Sequence, residues 1–359
     1  MATCGNGNTK DNAGYINRFF NRKCIHMNTN RRQFIKQAGI AAAGYSIASS
    51  IPSILNAQPT TPKLFFDISL AEFSFASDLW SGKLNNLDFP AKAKKDFGIT
   101  VVEYVAMFFN NKHTDSAYLA DLKKRTDDEG IKNNLIMVDG QNLSDLDDVK
   151  RKAAVESHYA WVDAAKYLGC NSVRVNLGSM DMLGTAQDEA KASVDGYGRL
   201  LEYGAKAGLN VIVENHLGRS CNAQWLVGIM KQVNHPRAGV LPDFGNFCIN
   251  RTKPETNDIA GWMKTKCLEQ YDLYKGVEEL MPYAKGISAK THKFKANGEE
   301  AEMDYARLFK IIRNAGFKGY AGIEYEGGLM RSMGKDESYQ TNDEGVIATK
   351  KLLEKVGVA

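Results

Sequence analysis

The sequence predicts a single (β/α)8 barrel of the α/β class over residues 58–359. From Leu64 onward, eight short apolar runs alternate with eight longer stretches of helical pattern. The runs are almost continuously apolar, as expected for strands of a parallel sheet that helices cover. The predicted strands are 64–70, 100–105, 133–138, 172–177, 210–215, 238–243, 286–291 and 320–325.

The stretch 151–169 illustrates the predicted helices. Residues that recur at spacings of three and four place one face of this helix against the sheet. These residues are Ala154, His158, Trp161, Val162, Ala165 and Leu168. Gly169 then ends the helix. The same order of helix, glycine and strand recurs before the second, fifth and eighth predicted strands, which indicates a βα unit repeated around a ring.

An open, doubly wound sheet is the alternative arrangement. Such a sheet normally has a glycine-rich phosphate-binding turn after its first strand, and residues 67–75 contain none. A closed barrel needs about 250 residues or slightly more, which fits the length from residue 58 onward. The residues beyond this minimum lie mainly between Cys248 and Pro282 and in the loop after Glu326.

The basic charge of the chain is concentrated in a leader, residues 1–57. The formal net charge is +4, but the leader holds seven Lys and Arg residues and one acid, which leaves 39 bases and 41 acids in residues 58–359. The body of the protein therefore has no electrostatic signature of nucleic-acid binding or of binding to an anionic membrane.

The leader has the pattern of a twin-arginine export signal. The motif NRRQFIK at residues 30–36 precedes a weakly apolar run at residues 39–55, and a small residue, Ala57, follows near the expected cleavage point. A start at Met27 would give this signal an ordinary length. The apolar run is too short and too interrupted for stable membrane insertion. We therefore expect a periplasmic protein.

Four cysteines lie outside the leader, at Cys170, Cys221, Cys248 and Cys267. An oxidising compartment permits a disulfide, but the spacing does not choose a pair. We expect each of the four to be a buried thiol.

Polar residues follow most of the predicted strands, and these strand ends meet at one mouth of a barrel. They are Glu103 after strand two, Asn176 after four, Glu214 and His216 after five, Asp243 after six, Lys290 and His292 after seven, and Glu324 and Glu326 after eight. Because carboxylates gathered at one mouth repel one another, the pattern predicts one bound divalent cation. Mn²⁺, Mg²⁺, Co²⁺ and Zn²⁺ all suit oxygen ligands with one imidazole.

The motifs VIVENH, LPDFGNF, SAKTHKF and GIEYEG, in order on strands five to eight, resemble the xylose isomerase-like TIM-barrel superfamily, which includes sugar isomerases and epimerases. The resemblance implies that Glu214, Asp243 and Glu324 bind the metal. The family often has His-x-Lys on strand seven, where this chain has Ser288 and Lys290. We expect His292, two residues beyond Lys290 on the same strand face, to be the fourth ligand rather than His216. Asn246 replaces a histidine that the family has on strand six.

We expect Glu214 and Glu324 to act as the two bases and acids of a proton transfer next to a carbonyl, through an ene-diolate, with Lys290 assisting. The expected substrate is a small carbohydrate. Further candidates for substrate binding are Glu72, Glu103, Asn176, His216, Asn246, Arg151 and His158. His158 has the alternative role of a core residue, and Lys290 that of a structural ion pair.

Three other functions remain open from the sequence. The same metal site could serve a lyase or hydrolase that cleaves keto-glycosides. An AP endonuclease of the superfamily is disfavoured, because residues 58–359 contain only five histidines and are not basic. The third is a non-catalytic sugar-binding barrel. Barrels of this superfamily often form homo-oligomers, and the sequence does not decide the oligomeric state.

Overall fold

The computed structural model describes residues 63–179, 181–256, 261, 264–334 and 337–358. The predicted leader and export signal lie outside these residues. Ten strands are described: β1 (Asp67–Ala71), β2 (Val101–Val105), β3 (Lys132–Met137), β4 (Ser172–Val175), β5 (Asn210–Glu214), β6 (Ala238–Leu241), β7 (Cys248–Arg251), β8 (Cys267–Gln270), β9 (Ile287–Thr291) and β10 (Tyr320–Tyr325).

Eight of the strands form one parallel sheet in the order β6-β5-β4-β3-β2-β1-β10-β9. Isolated parallel bridges join Val240 to Ala284 and Asp243 to Ser288, so that β6 and β9 approach each other and the sheet nearly closes. Each of the eight predicted strands overlaps one of these strands. The predicted single-domain (β/α)8 barrel is confirmed.

Helices cover the outer face of the sheet. Their bounds are α1 (Ala76–Trp80), α2 (Phe89–Phe97), α3 (Ser116–Asp128), α4 (Asp148–Leu168), α5 (Ala186–Ala207), α6 (Ala223–Val233), α7 (Leu273–Leu280), α8 (Tyr305–Asn314), α9 (Gly327–Ser332) and α10 (Asn342–Val356). The Asp147 carboxylate caps the first turn of α4, and Gly169 ends this helix with φ of 78°, as predicted. No helix in the described part of the chain has the length and apolarity to cross a membrane.

Strand periodicity decides which side chains enter the barrel. In β4, Val173 and Val175 belong to the core that packs against the helices, whereas Arg174 between them points the other way. In β9, Ile287 and Ala289 pack against the helices in the same manner. The side chains that this alternation turns inward are Glu103, Arg174, Glu214, Ser288, Lys290 and Glu324.

The long connection after β6 carries an antiparallel hairpin of β7 and β8, closed by a Cys248–Cys267 disulfide. The prediction of a buried thiol was therefore wrong for these two residues, because the hairpin brings their Cα atoms to 5.8 Å. Cys170 and Cys221 are buried free cysteines, as predicted.

Candidate active site

Three carboxylates converge at the carboxyl end of the barrel strands. Glu214 ends β5, Asp243 follows β6, and Glu324 lies on β10. Each offers a carboxylate oxygen, and these oxygens all lie within 4.8 Å of one another. All three side chains are buried. Among the described residues, they form the only group of at least three His, Cys, Asp or Glu side chains arranged to hold a metal ion. We call Glu214, Asp243 and Glu324 the acidic triad.

Arg174 neutralises one side of the triad. Its Nε atom lies 2.8 Å from Glu214 Oε2, and its Nη1 atom lies 2.5 Å from Asp139 Oδ1. Burial acts to lower the pKa of Arg174, but the carboxylates of Asp139 and Glu214 outweigh it and hold this pKa above its usual range. Burial acts to raise the pKa of Asp139, yet Arg174 and His216 hold it well below its usual range. Neither Arg174 nor Asp139 was predicted from the sequence.

Lys290 neutralises the other side. Its Nζ atom lies 3.4 Å from Asp243 Oδ2, 3.7 Å from Glu324 Oε2 and 2.8 Å from Glu326 Oε1. Burial acts to lower the pKa of Lys290, but these three carboxylates hold it well above its usual range. Burial and the neighbouring Glu324 and Glu214 carboxylates raise the pKa of Asp243, although Lys290 opposes this shift.

Ser288 connects two members of the triad. Its hydroxyl oxygen lies 2.7 Å from Asp243 Oδ2 and 2.5 Å from Glu324 Oε2. Because a serine hydroxyl has one proton, it can donate to only one of the two carboxylates at a time. Ser288 therefore lies between the carboxylates of Asp243 and Glu324 and can donate its proton to either of them.

Two asparagines hydrogen-bond to Glu214 and to the backbone of Asp243. Asn246 Nδ2 donates to Glu214 Oε1 at 3.1 Å, so this predicted substrate contact is directed towards the triad. Asn215 accepts a hydrogen bond from the Asp243 backbone amide at 2.8 Å and donates to the Asp243 carbonyl oxygen at 2.9 Å. The loop that carries Asp243 is therefore tied to the end of β5.

His292, the predicted fourth ligand, lies beside Glu326 and outside the acidic triad. Its Nε2 atom is 3.5 Å from Glu326 Oε2, and its Nδ1 atom is 3.8 Å from Glu302 Oε2. Burial acts to lower the pKa of His292, but the interaction with Glu326 raises it overall. Burial acts to raise the pKa of Glu326, whereas Lys290 and His292 hold it well below its usual range.

Two cavities lie at the loop that follows β5, and no residue of the triad lines either of them. One has a volume of 350 Å³ and reaches the β7–β8 hairpin, and the other has a volume of 330 Å³ and reaches His158. Both are lined by Asp181, His216 and Leu217. Asn176 also lines the second cavity, where its Nδ2 atom donates to Asp139 Oδ1 at 2.8 Å. The predicted contacts His216, Asn176 and His158 therefore all line the second cavity.

Glu103 and Glu72 are buried in hydrogen-bond networks. Glu103 Oε1 accepts hydrogen bonds from Ser69 Oγ at 2.6 Å and from Asn134 Nδ2 at 2.8 Å, and burial raises the Glu103 pKa to about 7. The Glu72 carboxylate accepts hydrogen bonds from the Asn86 side chain and the Val105 backbone amide, both at 2.9 Å, and burial raises its pKa to about 8. Both residues thus have protein partners within the fold.

Arg151 and His158 lie on α4. Arg151 pairs with Asp195 of α5 at 2.7 Å, which connects the two helices, and with Asp148 of its own helix at 2.8 Å. His158 Nδ1 lies 2.7 Å from the Ala154 carbonyl oxygen, and the His158 ring packs where a Cβ at Gly140 would come within 2.6 Å of it. Gly140 thus provides the space that lets His158 border the second cavity.

The class of protein follows from these features: a (β/α)8 barrel with a buried acidic centre at the carboxyl ends of its strands. Residues 91–347 match the family described as xylose isomerase-like TIM barrel. The chain belongs to this family. A search of curated proteins finds no match.

Solved structures share the fold at low sequence identity. A D-psicose 3-epimerase from Clostridium cellulolyticum H10, crystallised with D-tagatose, has a TM-score of 0.60 and 15% identity over 82% of this chain and 100% of its own. A sugar phosphate isomerase/epimerase from Parabacteroides distasonis ATCC 8503 has a TM-score of 0.58 and 18% identity over 86% and 100%. An IOLI protein with a bound zinc atom has a TM-score of 0.57 and 14% identity over 81% and 98%.

The acidic triad has the chemistry of a divalent metal site. Carboxylate oxygens are the ligands that Mg²⁺ and Mn²⁺ prefer, and carboxylates also bind Zn²⁺. Three buried carboxylates with oxygens within 4.8 Å of one another suit such an ion. Glu214, Asp243 and Glu324 are the residues that would hold it.

Proposed function

We propose that the chain is a sugar isomerase or epimerase that transfers a proton at a carbon next to a carbonyl, with one divalent ion at the acidic triad. The convergence of Glu214, Asp243 and Glu324 at the carboxyl end of the barrel carries this proposal. Epimerases and isomerases among the proteins with this fold support it.

Glu214 and Glu324 are the proposed proton-transfer pair. They approach the site from β5 and β10, which lie on different sides of the barrel mouth. One carboxylate removes the carbon-bound proton, and the other returns a proton to form the product. Arg174 and Asn246 hold Glu214 in place through contacts of 2.8 and 3.1 Å, so its carboxylate is oriented before substrate binds.

The divalent ion, when bound, would polarise the carbonyl and the adjacent hydroxyl of the sugar. Lys290 is the protein cation that lies between the triad and Glu326, and we propose that its ammonium stabilises negative charge on the substrate oxygen as the proton leaves. The hydroxyls of the sugar would bind to polar side chains of the second cavity, such as His216 and Asn176.

We also propose that the protein works outside the cytoplasm. The twin-arginine pattern of residues 30–36 suggests export. The Cys248–Cys267 disulfide supports this location, since structural disulfides persist mainly in oxidising compartments.

Incubation in deuterated water tests the proposed reaction. The protein, supplied with Mn²⁺, is incubated with free ketoses and aldoses, with sugar phosphates and with keto-glycosides, and products are followed by NMR. We expect solvent deuterium at one carbon of an otherwise intact sugar. Release of an aglycone would instead support the lyase function, and no exchange in any sugar class would refute the proposed proton transfer.

A further inference from the structure

Lys290 occupies the space between two carboxylates that would bind the metal. Its Nζ atom faces Asp243 Oδ2 and Glu324 Oε2 at 3.4 and 3.7 Å, and Ser288 Oγ contacts the same two oxygens at 2.7 and 2.5 Å. The ammonium and the hydroxyl together therefore satisfy the oxygens that converge there. A buried lysine needs such compensation, and the Lys290 side chain is only 5% exposed.

The fold makes room for this position of Lys290. A Cβ at residue 245 would lie 2.6 Å from Lys290 Cδ and 3.2 Å from Lys290 Cγ, so the lysine stem runs closely over Gly245. Gly245 also donates its backbone N–H to Asp243 Oδ1 at 2.8 Å. The loop after β6 thus both orients Asp243 and leaves space for the side chain that neutralises it.

A second anchor for the ammonium lies beside the triad. Glu326 Oε1 is 2.8 Å from Lys290 Nζ, which is shorter than either distance from Nζ to the triad. Glu326 follows β10 and also contacts His292. The ammonium can therefore move away from Asp243 and Glu324 while it keeps an ionic partner.

We propose that Lys290 is the resident cation of the acidic triad, and that a divalent ion binds only by displacing its ammonium from Asp243 and Glu324 towards Glu326. The inference depends on the metal site proposed above. A metal ion and an ammonium repel each other and require the same oxygens, so the two compete for the site.

Mn²⁺ titration of the full chain, by calorimetry and by electron paramagnetic resonance, tests this competition. We expect Lys290→Met to bind Mn²⁺ roughly tenfold more tightly than the wild type or better, because a nearby like charge has gone. Glu326→Gln should bind Mn²⁺ more weakly, since the displaced ammonium loses its second anchor. Lys295→Met, an exposed lysine in the loop after β9, is the control and should leave the affinity unchanged.

The direction in which the Mn²⁺ affinity changes in Lys290→Met shows whether the Lys290 ammonium competes with the metal ion or supports its binding. Weaker or unchanged Mn²⁺ binding by this variant would overturn the competition and leave the metal site standing. Absence of Mn²⁺ binding in both the wild type and Lys290→Met would refute the metal site itself. Asp243→Asn, introduced into Lys290→Met, should abolish binding and so place the measured ion at the triad.

A measurement on the wild type follows the ammonium itself rather than the metal affinity. In ¹⁵N-labelled protein, a buried lysine ammonium should give a slowly exchanging Nζ resonance, assigned by its absence from Lys290→Arg. We expect diamagnetic Mg²⁺ to shift this resonance. An unchanged Lys290 resonance at saturating Mg²⁺ would contradict displacement.

Discussion

Arg174 Nε lies 2.8 Å from Glu214 Oε2, and the two side chains are only 4% and 2% exposed. Both partners of this ion pair are therefore shielded from water by the surrounding fold. Replacing one partner of the pair by an uncharged residue leaves the other as a buried, uncompensated charge, which lowers the free energy of unfolding by about 3–5 kcal/mol. The pair therefore links the stability of the barrel to the geometry of its proposed active site.

Arg174→Met should lower the free energy of unfolding by about 3–5 kcal/mol. Urea denaturation in the presence of a chelator measures this. Arg199→Met is the control, since Arg199 is 40% exposed and its pairs with Asp148 and Asp195 should contribute less than about 1 kcal/mol. Equal stability of the two variants would show that Arg174 does not compensate a buried charge.

Glu103 should make the protein less stable as the pH rises. Its pKa is about 7 in the folded protein and 4.5 ordinarily, so the folded state keeps a proton that the unfolded chain releases. The contribution of protonated Glu103 to stability is fully present below about pH 4.5 and is lost as the pH rises towards 7. The free energy of unfolding should fall by roughly 3 kcal/mol over this range. Urea denaturation at pH 5 and pH 7.5 should show a smaller decline for Glu103→Gln than for the wild type. An equal loss of stability between the two pH values in the wild type and Glu103→Gln would contradict the assignment of this effect to Glu103. Glu129→Gln, a substitution at an exposed site, serves as the control.

Reduction of the Cys248–Cys267 disulfide should loosen the β7–β8 hairpin and lower the Tm. The two cysteines are 19 residues apart, and closing a loop of this size contributes about 3 kcal/mol. Thermal unfolding with and without dithiothreitol measures the effect, and Cys248→Ser/Cys267→Ser should resemble the reduced protein and no longer respond to reductant. A wild-type Tm that is insensitive to complete reduction would contradict the prediction.

Asp243→Asn should remove metal binding. After equilibration with excess Mn²⁺ and removal of free ion at low temperature, elemental analysis of the wild type should find up to about one ion per chain. The variant should retain none, because the amide lacks the charge of one of three carboxylate ligands. Glu302→Gln, whose side chain is 66% exposed, should keep the wild-type content. Equal metal content in Asp243→Asn and the wild type would place the ion elsewhere.

The fold could be predicted from the sequence because the strand runs are local signals. Each of the eight runs is apolar enough to be buried on both faces, and glycines such as Gly169 end helices through a left-handed conformation that favours glycine. The acidic triad was also accessible, since the ends of parallel strands meet at one mouth and Glu214, Asp243 and Glu324 stand at such ends.

Arg174 and the bridging contacts of the site could not be predicted in the same way. Arg174 is a single basic residue within an apolar run, and only the strand alternation around it, Val173 and Val175, could have indicated an inward position. The contact of Ser288 with two carboxylates depends on how β6 and β9 close the barrel. The Cys248–Cys267 pair depends on the register of a hairpin that spacing alone does not define.

Solvent deuterium incorporation by glutamate variants tests the central claim most directly. With a sugar that the wild type converts, Glu214→Gln and Glu324→Gln should each lower the rate at which the deuterium-labelled product forms at least about a hundredfold, because product formation needs both carboxylates. Glu302→Gln should leave that rate unchanged. Formation of the labelled product at the wild-type rate by either Glu214→Gln or Glu324→Gln, measured on folded protein, would contradict the account that these two carboxylates transfer the proton.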